Sequence, residues 1–410
     1  MNLDDIDLFN PETFVAAVPH EAFRTLRRHA PVFWHKEANG PGFWAVTKYH
    51  DVVAVSRDPR TFSSAKKGVF TFDPVPEDLE RMQLMMLNMD PPKHTKLRAL
   101  VNKGFTPRMV AHLEPRLRAI TNEIIDKVAT KGRCDFVAEI AAELPLQAIA
   151  ELMGIPLAER HMVFDWSNRL IGFDDPEYQQ SWDDAKLAAA EMYMYANRLA
   201  AERRDRAGDD LVSVLMNAEV EGERLTELEF DLFFVLLAVA GNETTRNLIS
   251  GGMLALIEHP EQRARLLANP SLMPTAVEEM LRWVSAVIEF RRTAARDTEL
   301  RGQQIRAGDK VIIYYISANR DEDVFAEPDR FDVGRVPNDH LAFGIGEHFC
   351  LGSNLARLEI RVMFEELLRR LPDIQLQGPV DRLRSSLING IKRMPVVFTP
   401  ERQRHVVGGE

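Results

Sequence analysis

Between Thr226 and His259 the chain is apolar almost all the way round a helical wheel through its middle. A helix with no polar face to offer water must be wrapped by other elements, which places it inside a large, helix-rich protein. It does not read as a membrane span, because its longest apolar run, Leu232 to Gly241, falls well short of the roughly 18 residues that spanning requires. Two further long helices are predicted. Thr106 to Thr130 opens with Thr-Pro, a cap and first-turn pair, and continues with apolar residues at helical spacing. Ser181 to Arg206 ends in Glu202-Arg203-Arg204-Asp205-Arg206, most simply a solvated helix end. Strand signals are short: Phe43–Val46 after Pro41-Gly42, Lys310–Tyr315 after the turn Ala307-Gly308-Asp309, and Pro395–Phe398. The expected fold class is mainly α with a small β region.

At about 150 residues per domain, 410 residues could form two or three. No Gly/Ser linker, low-complexity tract or repeat marks a boundary. The chain carries 51 Lys+Arg against 62 Asp+Glu, a net charge of -11, which argues against sequence-independent nucleic-acid binding. Its two cysteines, Cys134 and Cys350, exclude a disulfide scaffold and an all-cysteine zinc site, and suit a reducing compartment. The start, Met1-Asn2-Leu3-Asp4-Asp5, shows no basic and apolar leader, so a cytoplasmic protein without a membrane anchor is expected. The tail His405-Val406-Val407-Gly408-Gly409-Glu410 is expected to fray.

The segment richest in chemistry is Phe343-Gly344-Ile345-Gly346-Glu347-His348-Phe349-Cys350-Leu351-Gly352. After it, Leu351, Leu355, Leu358 and Val362 fall on one helical face, so the thiol stands at a helix start, where unpaired N–H groups favour a thiolate. Gly344 and Gly346 permit a tight turn, and Gly352 removes a side chain where the new helix would press on something flat. Three readings are open on these residues: a thiolate ligand to haem iron, a nucleophile activated by His348, and a small buried hydrophobe.

The loop resembles the haem-binding signature of the cytochromes P-450, the haem-thiolate monooxygenases. That resemblance implies Cys350 as the axial iron ligand, His348 as a residue bonding a haem propionate, and Phe343, Gly344 and Gly352 beside the cofactor. Three other segments are similar to the family in the same order. Glu279 and Arg282, three apart on a helix, can pair; the family buries such a pair with an arginine of a later loop, which the likeness puts at Arg330 in Pro328-Asp329-Arg330-Phe331-Asp332. Ala240-Gly241-Asn242-Glu243-Thr244-Thr245 sets small and polar residues in the buried helix, where glycine costs about 1 kcal/mol relative to alanine. Thr244 can bond backward and open the helix locally. The segment resembles the oxygen-activation motif, which implies Thr244 as the catalytic hydroxyl, Glu243 as the proton-relaying acid and Ala240 against the cofactor. His94 and Arg98, spaced i, i+4, and Arg292 look like the remaining propionate ligands, with Arg291 the neighbouring alternative.

The resemblance covers nearly the whole chain and implies one helical domain over residues 1–410. It also implies heme b, dioxygen as co-substrate, and electrons from a ferredoxin and ferredoxin reductase. The expected activity is insertion of one oxygen atom into a C–H bond of a hydrophobic small molecule: a steroid side chain, methyl-branched lipid, terpenoid or alkane. Met86, Met89, Val235, Val239, Ala240, Val287 and Ile288 are pocket candidates, though core packing explains them equally well. Two rivals stand beside this reading. A peroxide-driven peroxygenase would not need Glu243 and Thr244, and a haem gas sensor would show no turnover.

Overall fold

The computed structural model describes residues 1–402 apart from 39, 106, 180, 204–210, 218 and 221–222. Its axis is the helix Glu227–Glu258, whose flanking residues, Thr226 and His259, are the ends expected from sequence. The start is fixed by a reciprocal cap: the Thr226 hydroxyl accepts from the Glu229 N–H, and the Glu229 carboxylate accepts from the Thr226 N–H. Helices Glu143–Leu152, Arg160–Ile171, Trp182–Arg203, Met273–Val284 and Ser353–Arg370 pack round it. Gly241 lets the first of these come close, because a Cβ there would stand 2.8 Å from Ile149 Cδ1.

Two apolar clusters meet along this central helix. Phe230, Phe233, Phe234 and Leu237 join the helix Trp182–Arg203 at one end. Leu248, Ile249, Met253 and Leu256 join the helices Pro107–Ala129 and Ser353–Arg370 at the other. Between them lies the polar stretch from Ala240 to Asn247, so the sequence anomaly falls at the seam of the core. The predicted cap Thr106, the residues Arg204-Asp205-Arg206 of the charged run, and the tail from 403 lie outside the described residues.

The small β region is built from distant segments. One sheet of five strands runs in the order Val32–His35, Phe43–Val46, Lys310–Tyr314, Glu289–Ala294, Phe62–Ser63. Phe43–Val46 pairs parallel with Lys310–Tyr314, and the other neighbours pair antiparallel. Tyr315, expected to end a strand, instead begins the short helix Tyr315–Ala318. Pro395–Val397 is the middle strand of a second sheet, between Gln375–Leu376 and Arg133–Asp135. Among the described residues, no helix is long and apolar enough to cross a membrane.

Candidate functional site

The cysteine loop turns through two left-handed glycines, Gly344 at φ 68° and Gly346 at φ 80°. This folds the loop so that the Cys350 N–H donates to the Phe343 carbonyl at 2.9 Å. The ring of Phe343 is buried and lies 4.6 Å from the Arg357 guanidinium. The helix begins at Ser353, with Gly352 in the cap position, later than the sequence suggested. This corrects the expectation of a thiol already acidified by the helix start. Burial pushes the half-buried Cys350 thiol up, and the Gly352 N–H, Arg98 and Arg357 only partly oppose it. A cation bonded to sulfur would tip it to the thiolate.

Around the loop stands a cationic cluster. The His94 and His348 rings are 4.3 Å apart, and Ser64 Oγ lies 3.2 Å from His348 Nε2. His94 comes from the helix Lys93–Val101 and is buried, with no partner for its Nδ1. Arg98, one turn on, donates to the Phe349 carbonyl and the Asn102 side chain. Burial, then Arg98 and Arg292, hold His94 down at about 4 against the opposing pull of Asp90. Burial, Arg292 and His94 hold His348 down at about 2. Arg292 and Arg291 are adjacent in a strand and point to opposite faces. Arg291 is taken by Asp73, at 2.8 Å, and by the Phe72 carbonyl. Arg292 and Arg98 both bear on the two histidines, and the Arg292 guanidinium donates to the neutral Arg291 carbonyl at 2.8 Å.

In the polar stretch, Thr244 Oγ1 donates backward to the Ala240 carbonyl at 2.9 Å. Ala240 is exposed and Thr244 half-buried although they lie mid-way along a buried helix. Glu243 is wholly buried, ion-paired with Arg246, and accepts at 3.4 Å from Asn242. Arg246 also donates to Asn168 Oδ1 at 3.0 Å, tying the pair to the helix Arg160–Ile171. Burial pushes the Glu243 carboxyl up against the pull of Arg246. The sequence reading missed Arg246. The i, i+3 spacing applied to Glu279 and Arg282 would have found it.

The structural network is close to expectation, with one correction. Glu279 and Arg282 are fully buried and joined by two bonds of 2.8 Å. The third member is Arg335, not Arg330: Arg335 Nε lies 3.2 and 3.1 Å from the two Glu279 oxygens. The Arg330 side chain is exposed and pairs with Glu327; only its carbonyl joins the network, accepting from Arg282. Residues 330–335 form a non-repeating turn, where sequence distance carries no information about direction.

Among the pocket candidates, Met86, Met89 and Val235 are packed in the core cluster at the start of the central helix. Ile288 faces Phe23 and Tyr314, in a cluster apart from Val287. Val239 and Val287 are half-buried.

The residues fit a flat group bearing two carboxylates and bonded through sulfur. Two imidazoles and two guanidiniums without a bound acid supply the anion site, His94 Nδ1 awaits a partner, and a Cβ on Gly352 would meet no atom within 4 Å. A cytochrome P-450 family model matches residues 131–388. The chain belongs to the cytochrome P-450 family. It is 43% identical over 405 residues to a steroid C26-monooxygenase of Rhodococcus jostii, covering 96% of this chain and 85% of that protein. It is 46% identical over 389 residues to a methyl-branched lipid omega-hydroxylase of Mycobacterium tuberculosis, covering 92% and 90%. A Mycobacterium marinum cytochrome P-450 solved in complex with pseudoionone superposes with a TM-score of 0.90 at 44% identity, over 97% of this chain and 99% of that one. As a P-450 monooxygenase, this chain works with haem-thiolate iron and dioxygen.

Proposed function

We propose that this P-450 hydroxylates an apolar chain end, on a steroid side chain, a methyl-branched lipid or a terpenoid, within one domain spanning residues 1–410. The observation that carries the site assignment is the uncompensated cationic cluster beside Cys350. In this reading Cys350 binds the iron of heme b, and His94, Arg98, Arg292 and His348 hold its two carboxylates. Phe343, Gly344, Gly352 and Ala240 would border it. When bound, the haem supplies the oxidation, with one atom of dioxygen entering a C–H bond and the other leaving as water. Thr244 presents a hydroxyl oriented by its bond to the Ala240 carbonyl in the unbroken helix, and Glu243 is the acid that resupplies its proton once it turns from Arg246. Electrons come from a ferredoxin and its reductase. The substrate class is supported by the printed activities of the relatives.

The test is a spectral binding screen of steroids, branched fatty acids and terpenoids against ferric protein, followed by turnover with a ferredoxin system. Hydroxylated product formed with dioxygen and reductant is expected. A protein that binds haem but turns over none of these compounds would overturn the substrate assignment.

A further inference from the structure

The helix Met273–Val284 presents two adjacent acids to the segment that leads into the cysteine loop. Glu279 belongs to the buried network with Arg282 and Arg335 and also accepts from Asn338. Glu278 accepts from His340, two residues after Asn338, at 3.1 Å. The His340 side chain is buried, and its Nδ1 accepts from the Ala342 N–H at 3.2 Å. The ring proton is therefore on Nε2, pointing at Glu278. Accepting at one nitrogen and donating at the other is the pattern of a neutral imidazole.

The same carboxylate reaches the helix that follows the cysteine. Arg357, seven residues past Cys350, closes a fork on Glu278 with bonds of 2.7 and 2.9 Å. Its guanidinium also lies 4.6 Å from the centre of the Phe343 ring, and the Phe343 carbonyl is the acceptor for the Cys350 N–H. Glu278 thus ties the chain before the loop, through His340, to the helix after it, through Arg357, and the tie passes over the ring of Phe343.

The charges balance across this tie. Against burial, the Gly352 N–H, Arg98 and Arg357 favour the Cys350 thiolate. In the proposed site Arg98 is matched by a carboxylate of the cofactor. Arg357 is matched by Glu278, which is ionised at neutral pH: against burial, the bonds from His340 and Arg357 hold its carboxyl at about 2.

We propose that Glu278 is a positioning residue for the reduction step: by neutralising Arg357 it keeps the reduction potential of the bound iron low and leaves the Cys350 sulfur strongly electron-donating. The inference rests on the assignment of Cys350 as the iron ligand.

The sign follows from electrostatics. Taking up one electron adds a negative charge beside the sulfur, so an unmatched cation nearby raises the potential and an unmatched anion lowers it. Glu278→Gln keeps the shape and one accepting oxygen but leaves Arg357 unmatched. Arg357→Gln leaves Glu278 unmatched. Removing both charges restores the balance. The Glu278 and Arg357 side chains are 30% and 34% exposed, so water and salt screen much of the effect. A shift of about threefold in the reduction equilibrium is expected in each single variant, or about 30 mV at 59 mV per tenfold for one electron. A purely structural role predicts a different pattern, because loosening the loop moves both single variants the same way and the double variant furthest.

A mediated spectroelectrochemical titration of the substrate-free holoprotein at pH 7 tests this. The potential is expected to rise in Glu278→Gln, to fall in Arg357→Gln and to return close to wild type in the double variant. Arg357→Lys keeps the charge without the fork and is expected to match wild type. Shifts of one sign in both single variants, or no shift in Glu278→Gln, would overturn the proposal, as would an Arg357→Lys displaced as far as Arg357→Gln. If either Gln variant takes up no haem, the other single variant and Arg357→Lys decide. The carbon monoxide spectrum of the reduced wild type separates the two levels. A missing thiolate band removes the Cys350 assignment, whereas a normal band with an unmoved potential in Glu278→Gln removes only the role of Glu278.

Discussion

Replacing Arg335 with alanine is expected to destabilise the protein by about 3 kcal/mol, the lower end of what breaking a buried ion pair costs. The magnitude follows from what each group would lose. Glu279 is fully buried and collects two bonds from Arg282, two from Arg335, one from the Asp332 N–H and one from Asn338. Without Arg335 the carboxylate keeps one cation, so it is weakened but not stranded. The carbonyls of Ala326, Glu327 and Arg330 also lose the donor that pins their turn. Arg282→Ala is expected at the upper end, about 5 kcal/mol, because Arg282 is itself buried and also bonds the Asn319 and Pro328 carbonyls. Arg330→Ala removes only an exposed partner of Glu327 and is expected within about 0.5 kcal/mol of wild type. Urea unfolding of the haem-loaded proteins, followed by far-UV circular dichroism, ranks the three. Equal losses in Arg335→Ala and Arg330→Ala would refute the reasoning, since the two differ chiefly in contact with Glu279.

Cys350→Ala is expected to abolish the red-shifted carbon monoxide band of the reduced protein. Cys134→Ala should keep it, since burial pushes that thiol up to about 12; a thiolate band surviving in Cys350→Ala would sink the ligand assignment. Thr244→Ala is expected to consume reductant while releasing hydrogen peroxide, and Glu243→Gln to slow turnover with less leakage. Product formed per reductant oxidised distinguishes them, and wild-type coupling in both would mean that protons arrive by another route. Burial alone would raise Glu278, yet bonds from His340 and Arg357 hold it at about 2. Its contribution to stability is therefore present above its ordinary value of 4.5 and is lost as pH falls toward 2, so Glu278→Gln is expected to flatten that part of an acid titration. An unchanged acid limb in that variant would count against the pairing.

What could be read from the residues alone is what short-range chemistry dictates. The limits of the central helix were legible because Thr226 and Glu229 cap each other locally, and the cysteine loop because its glycines and its thiol belong to one turn. The pairing of Glu279 with Arg282 followed from helical spacing. Arg335 was not legible, since its partner lies across a turn whose direction no periodicity encodes. The choice between Arg291 and Arg292 needed the strand register and the position of Asp73, a residue more than 200 positions away. The thiol's acidity was misjudged for a related reason, because a helix-start argument weighs the dipole and omits burial.

The parallel pairing of Phe43–Val46 with Lys310–Tyr314 bears on how the chain is made. The first of these strands leaves the ribosome early, but its hydrogen-bonding edge has no partner until some 265 further residues have been added. At roughly 5–20 residues per second, that leaves the Val32–Val46 hairpin waiting on the order of 15 to 50 s. A two-stranded hairpin is at best marginally stable by itself, and the nascent chain must keep this apolar edge soluble through that interval. The cationic cluster faces the same delay, because His94 emerges long before Arg292 and His348. With the cofactor held by this cluster as proposed, its capture would come late, and a chaperone that shields residues 32–46 during synthesis would raise the yield of haem-loaded protein without touching the finished fold.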